Sequence, residues 1–163
     1  MVEAPQSQYA LSCRLLRLLA YLLAGAIIAQ ALGYLSSYLL MEDPQAAGMM
    51  AHLLMQHLAY CFLGCAFIIL SLSNILIKRG KFQLKAIRLP SLILIISVAA
   101  SSFLLIPRMD YLRETALQDG MPVMLSPLAN YFAILDGITL LLLCTQIFSS
   151  ALIAWRLSNT QSA

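Results

Sequence analysis

Apolar residues in this chain gather into four long runs separated by short polar stretches, and none of the runs alternates at the period of a strand. About 20 residues of helix are needed to cross a hydrocarbon core roughly 30 Å thick. The first run is Leu18 to Leu40, with Gln30 its most polar member, and the second extends from Met49 to Ile77 with His52, Gln56 and His57 near its start. The third, Leu89 to Ile106, is the shortest, and the fourth extends from Leu128 to Trp155. The pattern predicts an all-α, four-transmembrane-helix bundle within one integral membrane domain, residues 1–163, with spans at about 18–40, 54–77, 89–106 and 131–155.

The segment between the third and fourth runs carries a different period. Met109, Leu112, Ala116 and Leu117 recur at helical spacing until Gly120 and Pro122 end the pattern. This predicts a short amphipathic helix on the outer face, with Pro107 in its first turn. Arg14 and Arg17 precede the first run as they would in a secretory signal, but the apolar stretch continues through Leu40, which is the expectation for an uncleaved anchor. No internal repeat of the transporter kind is visible.

Composition agrees with this reading: 61% of the residues are hydrophobic and 10% charged, against about 25% charged in soluble domains. A net charge of +3, scattered along the chain, provides no groove for nucleic acid. The placement of the cations is more informative. Arg14, Arg17, Lys78, Arg79, Lys81, Lys85, Arg88 and Arg156 fall on one side of a four-span layout, and only Arg108 and Arg113 fall on the other. The positive-inside rule then puts both termini in the cytoplasm of a cell with the protein in its inner membrane. Cys13, Cys61, Cys65 and Cys144 lie in or beside apolar runs, where reduced thiols are expected.

The stretches "FLLIPRMDYLRETAL" and "ANYFAILDGITLLLL", preceded by "DPQAAGMMAHLLMQHLAYCFLG", carry a resemblance. They resemble the small bacterial four-helix membrane proteins of domain-of-unknown-function family 4149, which are similar to a eukaryotic transmembrane group. The matching positions are Pro107, Arg108, Leu112 and Arg113, then Phe132, Leu135, Gly137 and, less closely, Thr139. Asp136 stands where that family's pattern has histidine. The resemblance implies a fold and a location; it implies no reaction.

Asp136 interrupts an apolar run and is the most conspicuous single residue. Counting about 20 residues back from an interfacial Trp155 places it near the outer boundary of the hydrocarbon, where a carboxylate reaches water. A second reading pairs it with His57, which should stand at a similar height on the second helix. Below them, His57, Cys61 and Cys65 form one helical stripe, and Asp136 and Cys144 form another. Imidazole and thiolate bind Cu(I) or Zn(II), so His57, Cys61, Cys65, Asp136 and Cys144 are the candidate metal ligands and copper or zinc the candidate cofactor. Met41, Met49, Met50, Met55, Met109, Met121 and Met124 all fall on the outer side, where thioethers would collect a soft metal. Ordinary helix packing explains the same cysteines and methionines.

No phosphate loop, nucleophile elbow or pair of intramembrane carboxylates points to catalysis. The expectation is a non-enzymatic accessory or assembly component whose partners are the lipid bilayer and either other subunits or copies of itself, with no nucleic acid. Binding or transport of a soft metal ion or small solute is the alternative.

Overall fold

The computed structural model describes residues 5–80 and 82–159, with side chains from residue 11 onward. Lys81, one of the cations that set the expected orientation, lies outside the described residues. Five α-helices follow one another: α1 (Pro5–Leu40), α2 (Pro44–Lys78), α3 (Lys85–Ala99), α4 (Ile106–Gln118) and α5 (Ala129–Asn159). Among the described residues, four continuous helical segments are long and apolar enough to cross a membrane: Leu11–Leu40, Pro44–Lys78, Phe82–Gln118 and Ala129–Asn159. The chain is a multi-pass, all-α membrane protein.

α1 packs against α2 and α5, and α3 packs against the same two. The helices therefore surround the axis in the order α1, α2, α3, α5, with α2 and α5 on a diagonal. Leu16, Ile27, Ile69, Ile87, Leu94 and Ile153 fill one half of the interior. Met109, Leu112, Phe132 and Leu135 fill the opposite end beside Tyr34, Met55 and Ile106. Large apolar side chains such as Leu32, Phe67, Ile96 and Phe148 remain on the outside, as lipid-facing positions must. One end of the bundle carries Lys78, Arg79, Lys85, Arg88 and Arg156 and is called the basic end below; the other carries Glu42, Asp43, Asp110 and Asp119 and is called the acidic end.

Local chemistry explains the turns. Asp43 caps α2 by accepting the Gln45 N–H at 2.9 Å, and Pro44 occupies the first turn, where its missing N–H costs nothing. α4 ends at Gln118, and the chain turns away at Gly120, whose φ of 73° suits a residue without a Cβ. There the Gly120 N–H donates to Leu117 O at 2.9 Å and the Met121 N–H donates to Ala116 O at 3.1 Å, which satisfies the last carbonyls.

The helix expected between Pro107 and Gly120 is present, but it does not lie apart from the third span. α3 passes into α4 through a π-helical segment, Ala100–Leu105, and Ile106 donates its N–H to Ser101 O. A proline lacks the N–H for an α-helical bond and crowds the carbonyl four residues earlier, so Pro107 alone should break the helix. The wider π turn just before it changes the ladder's register and lets the rod continue to Gln118. Gln146 of α5 pins the start of this segment, donating to Ser101 Oγ at 3.0 Å and Ser97 O at 3.3 Å. The predicted spans thus have the right number and order, while each helix runs beyond its apolar stretch.

Candidate functional site

Gly48 and His52 lie one turn apart on α2, and Asp110 and Arg113 lie three residues apart on α4, so each pair shares a helix face. The two faces meet near the acidic end. His52 Nδ1 is 2.9 Å from Asp110 Oδ1, and Arg113 Nη1 is 3.4 Å from the same oxygen and 3.1 Å from His52 Nδ1. A carboxylate only accepts, so the shortest of these contacts makes Nδ1 the protonated ring nitrogen. Arg113 then donates to Asp110, and its approach to the imidazole is a close polar contact.

His52 is 1% exposed and Arg113 4%. Burying a guanidinium is costly unless it is paired and hydrogen-bonded, and Asp110 supplies both functions. The Arg113 guanidinium also lies over the Phe132 ring at 5.0 Å, in range of the ring's negative face. Gly48 makes the arrangement possible: a Cβ at that position would run into the guanidinium and stand 3.1 Å from Tyr38 Oη. His52 Nε2, on the far side of the ring, finds no partner among the described residues.

A second polar contact joins the remaining helices. Tyr34 of α1 donates its hydroxyl to Asp136 Oδ1 of α5 at 3.1 Å. The Tyr34 and Tyr38 rings are 5.2 Å apart and Tyr38 Oη lies beside Gly48, so α1 runs from this contact to the Gly48 side of the Arg113 cluster. Thr139, one turn from Leu135, donates to Leu135 O at 2.9 Å and lies 3.6 Å from Met109 Sδ.

The metal ligands proposed from sequence are not brought together. His57 is exposed, and its Nδ1 is 2.8 Å from Leu53 O of its own helix. Cys61 and Cys144 are exposed and Cys65 is half-buried. α2 and α5 are diagonal, so the two stripes do not share a packed seam. Asp136 is engaged by Tyr34, a residue the sequence reading did not consider. Among the described residues, no three His, Cys, Asp or Glu side chains form a group that could hold a metal ion. Met55 and Met109 are core residues, 1% and 0% exposed, whereas Met41, Met49, Met50, Met121 and Met124 are exposed.

No family model, curated protein or solved structure matches this chain.

The positions singled out by resemblance behave differently from the metal set. Leu112, Arg113, Phe132 and Leu135 are buried at the acidic end, and Arg108 lies 5.6 Å from the Tyr111 ring and 5.9 Å from the Tyr131 ring. Pro107 lies in the first turn of the helix beyond the π segment, while Gly137 is exposed with open space where a Cβ would go. The sequence reading missed Gly48, Tyr34 and Asp110 and named His52 only as a polar residue near the start of the second run. A signal was available for His52 and Gly48, since a histidine and a glycine one turn apart on an apolar helix suggest a small-residue cradle beside a polar group.

Proposed function

We propose that the protein is a non-enzymatic accessory or assembly component of a bacterial inner membrane, with both termini cytoplasmic, of the kind found in domain-of-unknown-function family 4149. The observation that carries the reading is the internal closure of the acidic end. His52, Asp110 and Arg113 are committed to joining α2 to α4, and Tyr34 and Asp136 join α1 to α5. Such pairing of buried polar groups maintains a shape, which suits a protein that presents a surface to partners. The resemblance agrees with this, because Arg113 and Phe132, two of its positions, stack within the closure. The basic end, with Lys78, Arg79, Lys85, Arg88 and Arg156, supports the cytoplasmic assignment.

The test is gentle extraction from native membranes at chromosomal expression, followed by native electrophoresis and mass measurement. A discrete complex larger than the 17.9 kDa chain is expected, lost in Arg113→Met but retained in His57→Ala. A monomer in both cases, or turnover of a substrate by the pure protein, would overturn the reading.

A further inference from the structure

Two cavities with Gln56 in both linings follow one another along the seam between α2 and the third span, and together they make up one groove. Its upper part, about 490 Å³, lies at the acidic end and includes Met41, Asp110, Arg113 and Glu114 in its lining. A lower part of about 380 Å³ is lined by His57, Tyr60, Ser102, Phe103 and Pro107, and Gln56 lines both parts. Along α2 the lining positions Ala46, Met49, Leu53, Gln56 and Tyr60 recur every three or four residues. Phe103, Pro107, Asp110, Glu114 and Leu117 do the same on the facing rod. The helices are antiparallel and in register: His52 meets Asp110 at 2.9 Å, and the Tyr60 and Phe103 rings meet at 5.6 Å. From Ala46 to Tyr60 the groove is about 21 Å long at 1.5 Å per residue. That equals one leaflet with its headgroup, since a whole bilayer is about 40–45 Å thick.

Its chemistry is graded along this length. At the top, Asp110 and Glu114 lie four residues apart on one face of α4, and the Asp110 side chain is 38% exposed. Arg113 is the cation among the lining residues there. Just over one turn below the His52 level, about 6–8 Å down, come the amide of Gln56 and the imidazole of His57. Tyr60 and Phe103 line the lower part. A phospholipid with a primary ammonium headgroup has the same sequence of groups. Its ammonium donates to the carboxylates, its phosphate lies toward the guanidinium, its esters fall at the amide level, and an acyl chain continues past the aromatic pair.

We propose that this groove is a binding site for a phosphatidylethanolamine molecule in the leaflet at the acidic end. A quaternary ammonium offers no N–H to the carboxylates, and an anionic headgroup meets two carboxylates against one guanidinium, so choline and glycerol headgroups fit less well. The lipid is a ligand distinct from the protein partner proposed above, although Asp110 and Arg113 belong both to the closure of α2 on α4 and to the lining of this site.

The full chain in a mild detergent is titrated with phosphatidylethanolamine, phosphatidylcholine or phosphatidylglycerol, and bound lipid is counted by native mass spectrometry. One phosphatidylethanolamine per chain is expected, held about tenfold more tightly than the other two, with Glu114→Gln removing most of that preference. Leu53→Trp, which fills the groove, should abolish retention, while Leu152→Trp on the exposed face of α5 should not. Equal binding of all three lipids, unchanged preference in Glu114→Gln, or equal competition by water-soluble glycerophosphoethanolamine would overturn the proposal. Circular dichroism of each variant identifies any that fails to fold, and Glu114→Gln, at an exposed position, provides the reading if Leu53→Trp is lost.

Discussion

The phenol of Tyr34 donates to the carboxylate of Asp136 at 3.1 Å, across the interface between α1 and α5. An aspartate in an apolar run thus serves as an acceptor for a residue 102 positions earlier. Tyr34 is 6% exposed, so its hydroxyl has little water to turn to if the partner is lost.

Tyr34→Phe and Asp136→Leu should each lower resistance to denaturation, by about 1–2 kcal/mol. The double variant should cost less than the sum of the two, with a coupling of about 0.5–1.5 kcal/mol in a double-mutant cycle. Strictly additive losses would mean that the contact contributes nothing.

Gly48→Ala is expected to destabilise the acidic end, although alanine is the better helix former. The propensity gain is about 1 kcal/mol, and forcing the added methyl against the Arg113 guanidinium should cost about 1–3 kcal/mol, so sterics win. Gly64→Ala, on the same helix with open space around its Cβ position, should be neutral or stabilising. Thermal unfolding of the two in detergent compares them directly, and equal midpoints would remove the cradle from the account.

Arg156 of α5 donates through Nη1 to Ala86 O, the carbonyl that Pro90 leaves without its helical partner. Arg156→Met should therefore destabilise the wild-type chain by about 1 kcal/mol. In a Pro90→Ala background, where residue 90 regains an N–H, the same change should cost clearly less. An identical loss in both backgrounds would show that Arg156 acts through its charge alone.

The expected orientation has a direct check. In a chain whose four cysteines are replaced, Gln83→Cys at the exposed basic end should react with an impermeant thiol reagent in inverted membrane vesicles and stay unlabelled in intact cells. Labelling in intact cells would reverse the topology.

By itself the sequence determined the number of membrane-spanning helices, their order and the asymmetry of charge, because these depend on the length of apolar runs and on local counts of Lys and Arg. It also contained the amphipathic period that became α4. Tertiary structure decided the partners. Helix rotation cannot be read from an apolar run whose residues are lipid-soluble on every side, so the stripe of His57, Cys61 and Cys65 was set facing Asp136 and Tyr34 went unconsidered. Whether the third span would stop at Pro107 depended on a π turn that no single residue announces, anchored by a glutamine on another helix. The buried cluster of His52, Asp110 and Arg113 required α2 and α4 to meet in one register, with a glycine where the guanidinium lies. Long-range packing sets that register, and only the folded bundle contains it.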